Sequence, residues 1–210
     1  MNKEERKAHW ESIYKDKNQN EVSWYQQVPS TSLSYIDIFK LPLTARIIDI
    51  GGGDSFLVDH LIKFGYQDIT VLDISAEALS RAKYRLGDKA KKIKWINTDI
   101  LDFTPNRKYD YWHDRAAFHF LTNEKDISIY QSIANEAISD NGYMVIGSFS
   151  DKGPEKCSGI RIKQHTKESL KNIFEKHFKV LDCVPVVHRT PSDTLQHFIF
   201  CSFKKIPETK

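Results

Sequence analysis

The first forty residues are polar and interrupted. In MNKEERKAHWESIYKDK, Trp10, Ile13 and Tyr14 recur at helical spacing, which predicts a short amphipathic helix. NEVSWYQQVPSTSLSYIDIF then gives an aromatic pair, a proline break and Ser/Thr caps for a second helix. From residue 45 the rhythm changes. ARIIDI is a short apolar run ending in a glycine cluster, and FLVDHLIKFGY reads as a helix closed by Gly65. DITVLDI predicts a second buried strand, followed by the helix SAEALSRAKYRLG with Ser75 as N-cap. KIKWINTDI and KYDYWH predict the third and fourth strands, residues 124 to 138 a helix, and YMVIGSF a fifth strand behind an Asn141-Gly142 turn. TKESLKNIFEKHF carries a capping-box start at Thr166 and Ser169, and FKVLDCVPVV with LQHFIFCSFKK predicts two strands joined by HRTPSD as a hairpin.

Strand–helix alternation through five strands predicts an α/β fold: a doubly wound, mostly parallel sheet with helices on both faces, closed by an antiparallel hairpin. A length of 210 residues suits one domain, and no Pro/Gly/Ser-rich linker divides it. The 31 basic and 28 acidic residues are interspersed without a long basic run, so neither nucleic acid nor a membrane surface is an expected partner. The charged N-terminus lacks the apolar stretch of a signal peptide, and no apolar run approaches the roughly 18 residues of a membrane helix. Cys157, Cys183 and Cys201 are far apart, odd in number and without zinc spacing. They point to a reducing, cytoplasmic setting, with Cys183 and Cys201 in the core.

The chemistry begins at IIDIGGGDSF. Gly51, Gly52 and Gly53 permit a tight turn and close ligand approach at a helix N-terminus. A dinucleotide fingerprint would place a third glycine where Phe56 stands, and Asp49 beside the turn is unwelcome near a pyrophosphate. It suits an ammonium group instead. Asp73 ends the second strand, where a carboxylate can accept both hydroxyls of a ribose. Asp99 ends the third, placed to accept from an adenine amino group while Ile100 packs on the ring. Three acidic residues ending successive strands describe an adenosine-containing, phosphate-free ligand with a positively charged amino-acid end.

DIGGGDS, VLDIS, NTDIL, YDYWHDR and SDNGYMVI, in that order, closely resemble the motifs of class I S-adenosylmethionine-dependent methyltransferases. The resemblance covers nearly the whole chain and implies a seven-stranded sheet in the order 3-2-1-4-5-7-6 with strand seven antiparallel. It implies that Asp49, Gly51 and Gly53 hold the methionine end of the cofactor, Asp73 with Ile74 the ribose, and Asp99 with Ile100 the adenine. It places the backbone around Trp112 and His113 against the methionine portion. HWESIYKD and VSWYQ resemble leading aromatic helices that fold over the cofactor, so Trp10, Tyr14, Trp24 and Tyr25 would help close the site. The chain then divides into residues 1–40 (helical lid), 41–150 (cofactor-binding half) and 151–210 (C-terminal helix and hairpin).

The implied reaction is methyl transfer by in-line displacement to a nucleophile on a small molecule, since no added domain is present to read a macromolecule. A protein lysine acceptor, with Trp24 and Tyr25 flanking the lysine, is the alternative. A non-catalytic cofactor-binding scaffold is a third reading. Residues able to face the acceptor are Tyr25, Arg115, His119 and His165, with His188 also in reach, and His113 and Asp114 are the candidate catalytic groups. No metal is expected, because His113 and His119 lack i,i+4 spacing and no third ligand is indicated.

Overall fold

The computed structural model describes residues 1–207. One sheet organises the chain: β1 (Arg46–Ile50), β2 (Asp68–Asp73), β3 (Ile93–Asn97), β4 (Tyr109–Arg115), β5 (Ile138–Phe149), β6 (Phe178–Arg189) and β7 (Leu195–Lys205). Its order is β3-β2-β1-β4-β5-β7-β6, with β1 to β5 mutually parallel and β7 antiparallel to both neighbours. This is the order the motif resemblance implied.

Parallel strands covered on both faces read as continuous apolar runs, and their period of two splits each run between two cores. Ile48, Trp112, Met144 and Ile146 point to one face, against α5 (Glu124–Ala137) and α6 (Lys167–Phe174). Ile47, Tyr111 and Val145 point to the other, against α2 (Ser30–Ile38), α3 (Leu57–Lys63) and α4 (Ala76–Leu86). The same alternation sends His113 to the α2 face with Tyr111, and Asp114 to the α5 face with Trp112. Ser75 caps α4 by accepting from Ala78 N, and Thr166 with Ser169 forms the expected capping box of α6.

Two expectations change. Asn141 is left-handed (φ 61°), yet the expected turn between α5 and β5 is absent. The strand already begins at Ile138, and Asn141-Gly142 sits where the β4–β5 register jumps from Tyr109–Ile138 to Tyr111–Tyr143. The left-handed Asn141 accommodates this bulge-like irregularity. Cys183 and Cys201 are not separate core thiols. They are register partners on β6 and β7 and form a disulfide, which ties the edge strand to its neighbour.

The N-terminal segment packs over the carboxyl ends of the central strands. It comprises α1 (Lys3–Asp16), a loop with a short 3-10 turn, and α2. α1 is capped by Asn2 and Glu5 in a capping box.

Candidate functional site

Two adjoining compartments open where β1, β2 and β4 end, at the crevice where doubly wound sheets bind ligands. The first is floored by Asp73, Ile74, Asp99 and Ile100, with Trp10 above. The second is lined by Ser32, Asp49, Gly52, His113, Tyr25 and Phe56. Tyr14, Trp24, Gly51 and Arg115 are walls of both.

The glycine turn brings backbone and carboxylates together. Gly51 and Gly53 both have positive φ (61° and 49°), which L-residues adopt only under strain. A Cβ on Gly52 would stand 2.7 Å from Asp49 Oδ2, and one on Gly53 2.6 Å from the Tyr14 hydroxyl. Gly53 therefore sits under Tyr14 of α1, and Gly51 and Gly52 face the cavities. Asp73 Oδ1 accepts from Ser75 N at 2.8 Å. Burial, aided by the charges of Asp54 and Asp49, pushes its carboxyl up to about 7.

Asp99 is committed further than its sequence position suggested. Its Oδ1 accepts from Leu101 N, and its Oδ2 accepts from Arg6 Nε at 2.9 Å and pairs with Arg6 Nη2 at 2.8 Å. Arg6 thus fastens α1 to the end of β3. Glu11 fastens the same helix to α4, accepting from Ser75 Oγ and from the backbone of Ala76 and Glu77. The carboxylate completes that helix's N-terminus, where orphan N–H groups and the macrodipole favour negative charge. Trp10, Tyr14 and Trp24 form an edge-and-tilt cluster with centroid separations of 5.9 to 6.4 Å, and Trp10 also packs on Phe120 at 5.0 Å. Cys157 closes the first compartment, its thiol pushed up to about 11 by burial, which leaves it a packing group.

β4 delivers the second compartment. His113 Nδ1 lies 2.7 Å from Asp49 Oδ1, its register partner on β1, and His113 Nε2 lies 2.9 Å from Ser32 Oγ on α2. Arg115 Nη1 donates to Trp24 O at 3.0 Å, its guanidinium lies over the Phe198 ring, and Nη2 has no partner among the described residues. Burial lowers this guanidinium to about 10. His188 sits behind the loop, with Nε2 donating to Ser23 O at 2.8 Å and Nδ1 3.3 Å from Gln26 Nε2.

Three expected residues lie elsewhere. Asp114 is fully buried on the α5 face, accepting from Ala117 N, Phe118 N and the Tyr130 hydroxyl, and burial pushes it up to about 6. It shapes the loop after β4 and lines neither compartment, so it is not a candidate catalytic group. His119 stacks on Phe149 and receives Phe149 N on Nδ1, and burial holds it at about 3. His165 packs on Phe118 with Nδ1 3.2 Å from Ser169 Oγ, and burial holds it at about 4. Both are neutral core histidines rather than acceptor contacts. Ser32, Arg6 and Glu11 were not singled out from sequence, because a serine in a capping run and charges in a charged helix carry no distinguishing pattern.

The donor set fits an adenosine ligand with a cationic end. Carboxylates of Asp49, Asp54 and Asp73 surround the turn, which repels a pyrophosphate, while the aromatic ring faces favour a sulfonium. No cluster of three or more His, Cys, Asp or Glu among the described residues could hold a metal ion.

Comparison with known proteins agrees with this geometry. Residues 47–137 match the family described as a methyltransferase domain. The human EEF1A lysine methyltransferase 2 is 23% identical over 194 residues, covering 85% of this chain and 76% of its own. A solved structure from work on the conversion of a disulfide bond into a thioacetal group during echinomycin biosynthesis superposes with a TM-score of 0.78 at 17% identity. It covers 97% of this chain and 94% of its own. The Burkholderia thailandensis 1,6-didemethyltoxoflavin-N1-methyltransferase, solved with 1,6-didemethyltoxoflavin and S-adenosylhomocysteine, gives a TM-score of 0.71 at 15% identity, covering 99% and 92%.

Proposed function

We propose a specific task for this class I S-adenosylmethionine-dependent methyltransferase: transfer of the cofactor's methyl group to a nucleophile of a small molecule seated in the second compartment. The observation that supports it is the shared wall. A ligand filling the first compartment must pass Gly51, Tyr14, Trp24 and Arg115 to reach the second.

In this reading Asp73 accepts the ribose hydroxyls beside Ile74. Ile100 and the Asp99 end of β3 flank the adenine. Asp49 Oδ2 and the backbone at Gly51 and Gly53 meet the methionine end, with His113 and Trp24 beside it. The bound cofactor supplies an activated methyl on a cationic sulfur. The chain's residues supply alignment. Tyr14, Trp24 and Tyr25 exclude water and offer ring faces to positive charge, and the strand ends fix the donor so that a nucleophile can approach in line.

The unpartnered Nη2 of Arg115 supports a small, anionic acceptor, since a buried guanidinium attracts a carboxylate and repels a bare ammonium. His119 and His165, packed on Phe149 and Phe118 in the core, do not face the acceptor. The lysine reading draws on the human relative, whose name states that substrate, and on the Trp24–Tyr25 loop above the second compartment. Isotopically labelled cofactor in a cell lysate separates the two: label in small molecules supports the first, label in a protein band the second. Calorimetric titration with S-adenosylhomocysteine tests the common premise, and no binding at high micromolar concentration would sink it.

A cytoplasmic setting without nucleic-acid or membrane partners remains part of the proposal. The Cys183–Cys201 disulfide bears against it, and a thiol count on denatured, alkylated protein from cells decides: three free thiols support the cytoplasm, one opposes it.

A further inference from the structure

The bonds around His113 form a chain with a direction. A carboxylate cannot donate, so His113 Nδ1 carries the hydrogen shared with Asp49 Oδ1. In the neutral ring Nε2 is then an acceptor, and Ser32 Oγ donates to it. The three groups come from β1, β4 and the first turn of α2, and are 3%, 3% and 1% exposed. Yet all three line the second compartment. A serine needed only to dock α2 could bond to water or backbone; this one hands its hydrogen to a histidine held in a single tautomer.

We propose that Ser32, His113 and Asp49 form a proton relay that takes the proton of the methyl acceptor. This rests on the methyl-transfer reading and adds a substrate class: an acceptor whose nucleophile arrives protonated, as a hydroxyl, amine or thiol. The acceptor's X–H donates to Ser32 Oγ. As its lone pair forms the bond to the methyl carbon, the carbon–sulfur bond breaks with its electron pair left on sulfur. The acceptor's proton passes to Ser32 Oγ and Ser32's own proton to His113 Nε2. The resulting imidazolium is stabilised by Asp49, and the proton returns to solvent after product leaves. Asp49 Oδ2, on the glycine side, stays free for the ammonium end of the cofactor.

The charged and titratable groups around the relay are Asp49 from β1, Tyr111, Asp114 and Arg115 from β4 itself, Asp54 from the glycine turn, and Tyr14 and Tyr25 from the N-terminal segment. Asp49 faces the ring at Nδ1, and Arg115 lines the same compartment.

The test has two readouts. In the S-adenosylhomocysteine complex, side-chain 15N NMR should show neutral His113 as the Nδ1–H tautomer in wild type and Ser32→Ala, and lose that preference in Asp49→Asn. Transfer of labelled methyl to a low-molecular-weight metabolite extract should fall ten-fold or more at pH 7 in Ser32→Ala. The deficit should narrow at pH 9, where the acceptor sheds its own proton, and S-adenosylhomocysteine affinity should stay within two-fold. An Nε2–H tautomer, or Ser32→Ala transferring label like wild type at every pH, overturns the relay. If wild type labels nothing in the extract, the tautomer decides alone. Absent S-adenosylhomocysteine binding would instead overturn the methyltransferase reading, because the tautomer can still be read in the free protein.

Discussion

At the scale of single residues, burial and charge set what each carboxylate can do. Asp73 is held near pH 7 by burial, so at neutrality it is divided between acid and carboxylate. In the proposed site only the carboxylate would accept both ribose hydroxyls. S-adenosylhomocysteine should therefore bind more tightly as pH rises from 6 to 8 in calorimetry. Asp73→Asn should weaken binding about 10- to 100-fold, the usual range for a hydrogen bond to a charged group, and abolish that pH dependence. Neighbouring positions show how finely a strand allots roles. His113 and Asp114 differ by one residue, and the two-residue period alone sends the first to the cavity and the second into the α5 core. That allotment was readable once β4 was known to run to Arg115. Ser32 was not readable, because its partner His113 is 81 residues away and nothing local marks the pair.

At the scale of elements, the central strands β1, β2, β4 and β5 were legible because they are buried on two faces, which writes apolar runs into the sequence. The helices α4 and α6 were legible through their caps. The tethers of α1 were not, since Lys3, Arg6 and Glu11 in KEERKAHWE look like any solvated helix face. Glu11 nevertheless caps another helix. Glu11→Ala should cost about 1 kcal/mol, as loss of an N-cap does, lowering Tm by roughly 2–4 °C for a domain of this size. Arg6→Ala should free α1 from β3 without touching the sheet. Limited proteolysis should then cut within α1 several-fold faster, and S-adenosylhomocysteine should dissociate faster at an unchanged Tm to within a few degrees. Unchanged proteolysis would show that Arg6 does not hold the lid.

At the scale of the whole molecule, buried groups of opposite habit offset one another in pH. Asp73 and Asp114 have raised values, about 7 and 6, so their stabilising contribution is complete below the ordinary carboxylate range and is lost as pH rises through 6 to 7. His119 and His165 have lowered values, about 3 and 4, so theirs is complete above about 6.5, the ordinary histidine value, and is lost as pH falls below it. Between about pH 4 and 6.5 the slopes oppose. Asp73→Asn/Asp114→Asn should unmask the histidines: Tm should then fall steadily from pH 6.5 to 4, as unfolding free energy drops by up to about 1.4 kcal/mol per pH unit for each histidine. A melting profile as flat as wild type would contradict that balance.

The lid is fixed at both edges of the site, to β3 through Arg6–Asp99 and to β6 through His188 and Ser23 O. Glu11 on α4 and Arg115 on Trp24 O add a fastening on each side. Were the cofactor side and the acceptor side to open independently, exchange of spent cofactor and departure of the acceptor would be separable events. The ratio of singly to multiply methylated product would then report which side opens first.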